Sequence, residues 1–155
     1  MVNKKVLWKV PVYSIIAGLI SFRLNVYLFG RFTLTTLPDG SITINDTATL
    51  ILYGLILAVV VLLGGLYFFR EMTKKEIFVS ASILVVLQIL LLIAQWATQA
   101  TTGTMPMFFW YWAETLDWSN FIYLVLIKWI DNLWICVFMG CFAPYLFIPF
   151  GKKES

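Results

Sequence analysis

Four long apolar runs, at about 9–29, 48–69, 77–97 and 121–148, alternate with short polar connections. Each holds roughly the 20 residues that, as helix, cross a hydrocarbon core of ~30 Å. The first run carries Arg23 and Asn25 and has no small-x-small site before the polar loop. It predicts a retained helix, not a cleaved signal peptide. The expected fold is an all-α integral membrane protein, a single four-helix transmembrane domain over residues 1–155.

The connections carry their own patterns. "FTLTTLPDGSITIN" (32–45) alternates β-branched and apolar residues about Pro38-Asp39-Gly40. Proline fixes φ and glycine supplies φ > 0, which predicts a β-hairpin in the first outer loop. Two strands alone are marginal, so the ribbon is expected to lean on the other outer loop. Asp46 or Thr47 is expected to cap the second helix. "TMPMFFWYWAETLDWSNF" (104–121) is dense in aromatic rings, with Glu114 and Asp117 three residues apart. Such rings settle at headgroup level, so an aromatic segment lying in the outer interface is expected, its carboxylates solvated. The sharper expectation is an aromatic lid over something held between the helices.

Composition agrees with this reading. The chain is 61% hydrophobic and 12% charged, whereas soluble domains average roughly 45–50% apolar and 25% charged residues. Charge placement then orients the bundle. Lys4, Lys5 and Lys9 precede the first helix, Arg70, Lys74 and Lys75 fill the connection "FREMTKKE", and Lys152 and Lys153 sit in the tail. By the positive-inside rule both termini are cytoplasmic, an N-in/C-in arrangement. No basic stripe with interleaved aromatics occurs, so nucleic acid is not an expected partner.

Candidate chemistry is sparse. Histidine is absent, which removes the commonest general base and metal ligand. Neither a metal site nor a cofactor is expected. Cys136 and Cys141 point about 140° apart on a helix and read as structural thiols. No G-x-S-x-G or phosphate-binding glycine loop appears, so the chain reads as no enzyme.

Helix faces say more. Ser14, Gly18, Ser21 and Asn25 share one face of the first helix; Gly54, Ala58, Val61 and Gly65 repeat that spacing in the second. Asn132, Cys136, Gly140 and Ala143 form a stripe on the fourth. Small faces let helix backbones approach closely in lipid. The third helix instead bears Gln88, Gln95 and Gln99, a stripe that bonds to neighbouring helices or lines a wet groove.

The charges inside the apolar runs raise the main question. As one continuous helix, "LIKWIDNLWI" would place Lys128 ~10 Å and Asp131 ~15 Å below the outer surface. Charge at that depth needs a partner or a cavity. Arg23 leans toward Asp131, so an ion pair between them is expected, with Lys128 left for Glu114, Asp117 or an anion. Yet Arg23 and Asn25 lie about 160° apart around the helix. If Asn25 faces the bundle, Arg23 faces lipid or another subunit.

These features predict a small non-catalytic protein working through helix–helix association, as an accessory, stabilising or immunity-type subunit of a membrane partner or as a homo-oligomer. The alternative expectation is a carrier or binding protein. Its outward vestibule, built from Arg23, Gln88, Gln95, Lys128, Asp131 and Asn132, would take an anionic lipid headgroup or small anion. A prokaryotic plasma membrane is the expected location. Lys152-Lys153 also resembles an endoplasmic-reticulum retrieval signal, which keeps that membrane as the alternative.

Overall fold

A computed structural model describes residues 6–102 and 114–153. Lys4, Lys5 and most of the aromatic segment, 103–113, lie outside them. The structure is mostly helical (75%), and among the described residues four helices are long and apolar enough to cross a membrane and two strands form a small sheet.

Helix α1 (Lys9–Leu24) continues through a wider π-helical turn, Asn25–Phe29, and a 3₁₀ turn, Gly30–Phe32. Pro11 is tolerated because first-turn amides have no intrahelical acceptor. The inward face of α1 is Val10, Ser14, Gly18 and Ser21. Strands β1 (Leu34–Thr36) and β2 (Ile42–Ile44) then pair antiparallel, Leu34 opposite Ile44. Gly40 takes φ 84° in the turn. The Ser41 hydroxyl and amide donate to Asp39 at 2.6 and 2.9 Å, which holds its carboxyl below the ordinary value. All six strand residues are exposed, and most of the expected support lies outside the described residues.

Helix α2 (Asp46–Leu63) is capped by Asn45, whose side chain accepts from the Ala48 amide at 3.0 Å, and not by Asp46 or Thr47. One residue further back, the extended backbone of Asn45 aims its oxygen at the free amides. A π-helical turn, Gly64–Phe68, ends this segment. Helix α3 (Lys74–Thr102) opens on a reciprocal capping box. Thr73 Oγ1 accepts from the Glu76 amide at 3.2 Å, and a Glu76 carboxylate oxygen accepts from the Thr73 amide at 3.0 Å.

The fourth apolar run is not one helix. A 3₁₀ turn, Asp117–Ser119, leads into α4 (Asn120–Leu126); residues 127–132 are non-helical; α5 (Leu133–Gly140) follows. A run of 3₁₀ turns, Ala143–Phe150, completes the last described segment long and apolar enough to cross a membrane, Leu133–Phe150, in place of the expected 121–148. The break has a local cause. Asn132 is extended (φ −148°, ψ 105°), and its side chain accepts from the Ile135 amide at 3.2 Å, starting a new helix.

Contacts set the levels of these pieces. The Val10 amide donates to Ser80 Oγ at 3.2 Å, so α1 and α3 run side by side from one end. That end also holds Arg70, Lys74 and Lys75, and the Lys152 amide and carbonyl pair with the Met72 carbonyl and Lys74 amide at 2.9 and 3.1 Å. It is the basic end; the β-hairpin marks the other. Trp134 and Phe138 lie beside Leu92 and Trp96, far along α3, whereas Tyr145 stacks on Phe78 near its start. Hence α5 runs from the hairpin end to the basic end.

The core gathers Val10, Phe69, Met72, Ile77, Trp118 and Phe147 toward the basic end. Phe147 is 4.8 Å from Phe69 and 5.6 Å from Trp118, centroid to centroid. Gly64 admits these rings: a side chain there would meet Phe147, Tyr13 and Phe69. The outer faces are apolar, with Ile20 55%, Leu55 60% and Leu90 59% exposed. Soluble monomers rarely leave so much contiguous apolar surface to water.

Candidate functional site

The residues 114–119 enter the bundle. Gly18, midway along α1, lies directly against the backbone of Thr115 and Leu116. Two residues on, Asp117 is only 4% exposed. The side-chain amide of Asn25, in the widened turn above α1, donates to its Oδ2 at 2.7 Å. Asn120, the first residue of α4, donates to Oδ1 at 2.9 Å, and the Tyr53 hydroxyl of α2 reaches the same oxygen at 3.3 Å. Three elements thus converge on one carboxyl through neutral donors.

Local chemistry explains the arrangement. The Ser119 amide and hydroxyl both bond the Leu116 carbonyl, at 2.9 and 2.8 Å, which tightens the turn that turns Asp117 inward. An extra residue per turn at Asn25–Phe29 is the kind of π-bulge that recurs at functional sites. Trp118 is fully buried beneath, beside Phe147.

Other buried polar atoms have no partner among the described residues: Ser14 Oγ, Trp118 Nε1, Asn25 Oδ1 and both amide atoms of Gln88. From the contact of Val10 with Ser80, eight residues of equal rise put Gly18 and Gln88 at one level. Gln88 therefore sits at the level where 114–119 enters, 4% exposed. An unbonded buried amide costs about 1–3 kcal/mol. Gln88→Leu is expected to leave the detergent-extracted protein as stable or raise its melting temperature by about 2–4 °C, the shift for ~1 kcal/mol at this size. A marked drop in a thermal-shift measurement would show that the native amide is bonded.

The vestibule residues are placed quite differently from the expectation. Lys128 and Asp131 are exposed in the 127–132 turn, next to Trp129 at 85%, and not within a helix. Asn132 caps α5. The expected pair between Arg23 and Asp131 does not form. Arg23 is exposed, with its guanidinium 3.5 Å from the Tyr27 hydroxyl and 6.0 Å from the Phe22 ring. The shallow groove beside it is lined by its own helical segment alone. Gln95 is half-buried on α3. The structure brings none of these to Gln88.

The small-residue faces divide. Ser14, Gly18 and Ser21 are buried, and Asn25 is bonded to Asp117. Gly54 on α2 receives the Phe121 ring and Gly65, in the π-helical turn after it, the Phe150 ring, so aromatic side chains occupy the space expected for a helix backbone. Ala58 is exposed. Gly140 has nothing within 4 Å of where its side chain would be. Cys136 and Cys141 are free thiols. Among the described residues no group of three His, Cys, Asp or Glu side chains is placed to hold a metal ion.

Sequence reasoning took Asp117 for a solvated partner of Glu114 and passed over Tyr53 and Asn120. Its one usable signal was Asp-x-x-Asn at 117–120, the spacing at which two side chains meet on a helical turn. Comparison with known protein families, with curated proteins and with solved structures finds no match for the chain.

Proposed function

We propose that this chain is a small non-catalytic membrane protein, with both termini cytoplasmic, that works by lateral association with a partner in the plasma membrane as an accessory, stabilising or immunity-type subunit. One observation carries the reading: Arg23 and Asn25 face opposite ways. Asn25 is consumed by Asp117 inside the bundle, which leaves Arg23 on the exposed apolar side of α1 with only weak contacts to Tyr27 and Phe22 of its own segment. A cation among hydrocarbon is costly, ~2.5–3.5 kcal/mol near the centre on insertion scales, and such residues usually serve an assembly or a path. The planar fork of a guanidinium suits a carboxylate on a partner helix. The clustering of Lys9, Arg70, Lys74, Lys75, Lys152 and Lys153 toward one end supports the orientation. The tail pairs with the start of α3 through Lys152, which favours the plasma membrane over a tail read as a retrieval address.

Affinity purification in mild detergent tests this. The wild type is expected to retain a specific membrane protein, and Arg23→Gln to lose it at least ~10-fold, the factor for a ~1.4 kcal/mol charge-assisted contact. Arg31→Gln, in the outer connection, should retain it. A lone monomer or homo-oligomer, or retention by Arg23→Gln, would overturn the reading. A reporter fused after Lys153 should read as cytoplasmic and one inserted at Gly40 as external; the reverse would overturn the orientation.

A further inference from the structure

Alongside the Tyr13 hydroxyl, which is 2.7 Å from the Val60 carbonyl, α1 and α2 part to leave a groove of about 740 Å³. Its walls are apolar, with Ile16 and Ile20 on one side and Leu55 and Val59 on the other. Phe69 lies at its basic end. The one charged side chain in the lining is Lys9, at that same end, and exposed Arg70 follows Phe69 directly.

Shape and charge together select the occupant. A membrane-crossing helix is about 10–12 Å wide and ~30 Å long, a few thousand Å³, so the groove would hold only a fraction of one. Its volume is that of a small-molecule site, within the usual ~300–1,000 Å³. The walls offer almost nothing to hydrogen-bond, so the occupant is apolar along its length, and Lys9 and Arg70 ask for an anion at one end. The lining follows α1 from Lys9 past Leu24 to Phe29, about 30 Å of rise, so an acyl chain spanning half a hydrocarbon core, ~15 Å, fills the half of the groove nearer Lys9.

We propose that the groove between α1 and α2 seats one acyl chain of an anionic phospholipid from the leaflet at the basic end, its phosphate held by Lys9 and Arg70. The site rests on the membrane part of the reading above but not on the partner, because Arg23 takes no part in it. Arg23→Gln should therefore lose the partner and keep the lipid, so the two ideas fail separately.

The test uses the full chain, delipidated in detergent and titrated with dioleoyl phosphatidylglycerol or dioleoyl phosphatidylcholine, with bound lipids counted by native mass spectrometry. One phosphatidylglycerol per chain is expected to bind ahead of phosphatidylcholine. Lys9→Gln and Arg70→Gln should each reduce that preference about five-fold, the effect of one basic residue near an anionic headgroup. Val59→Trp and Val12→Trp, at exposed wall positions that leave the core untouched, should abolish the first binding event for either lipid. Equal binding of the two lipids, a preference unchanged in Lys9→Gln, or one-to-one binding that survives both tryptophan variants would overturn the proposal.

Discussion

Gly18→Ala is expected to unseat the 114–119 segment and destabilise the protein by about 3 kcal/mol, at or above the top of the usual overpacking range. A methyl group there would lie 2.7 Å from the Leu116 amide nitrogen and closer still to the Thr115 carbonyl. Those neighbours are backbone, which cannot swing aside as a long side chain does. Moving them also draws Asp117 off its three donors and Trp118 out of the core, so one methyl breaks several contacts together. The measurements are the melting temperature in detergent, expected to fall by roughly 6–12 °C, and hydrogen exchange across 114–126, expected to accelerate. Gly140→Ala is the control. Its site is open, and replacing this last glycine of α5 should be neutral or stabilise by a fraction of the ~1 kcal/mol seen in helix interiors. Equal behaviour of the two alanine variants would mean that the close approach at Gly18 does not seat the segment.

Asp117→Leu should have an effect of similar size for a different reason. The leucine accepts nothing, so Asn25, Tyr53 and Asn120 each lose the acceptor they share. Stranding a buried polar group costs about 1–3 kcal/mol, and three partly buried ones together should exceed ~3 kcal/mol. Asp117→Asn keeps the volume and one acceptor oxygen, so a milder loss of about 1–2 kcal/mol is expected. Combining Asn25→Ala with Asp117→Asn should be less than additive, because the two residues share one bond. Thermal melting of the wild type, Asp117→Leu, Asp117→Asn, Asn25→Ala and the double variant measures all of this. A stable Asp117→Leu would show that the polar knot does not hold the segment in place.

Much of the architecture was legible because it depends on local rules. Run length and hydropathy identify the helical segments at 9–29, 48–69 and 77–97, since a backbone among apolar side chains satisfies its own hydrogen bonds most simply as helix. The hairpin at Pro38-Asp39-Gly40 was legible for the same kind of reason: Gly40 does adopt a positive φ. Thr73-Lys74-Lys75-Glu76 is a capping box of the same local kind, spelled out by its spacing.

Hydropathy misled at 121–148. Averaged over a window, the apolar residues either side of 127–132 hide a break made by one extended residue, Asn132. Treating the run as one helix aimed Asp131 at Arg23, and the expected pair followed from a continuity that the chain does not have. With the break, both charges sit on an exposed turn and need no partner inside.

The sequence by itself determined the four apolar segments, the basic end, the hairpin and the opposed directions of Arg23 and Asn25, because each follows from spacing along one helix or turn. Only the tertiary structure decided that Asp117 is the buried acid, that Gly18 is a seat for backbone, and that α1 and α2 part around a groove. Those features join residues far apart in the chain: Asn25 and Asp117 are separated by 92 positions. No periodicity records such a meeting, since it depends on how whole segments pack.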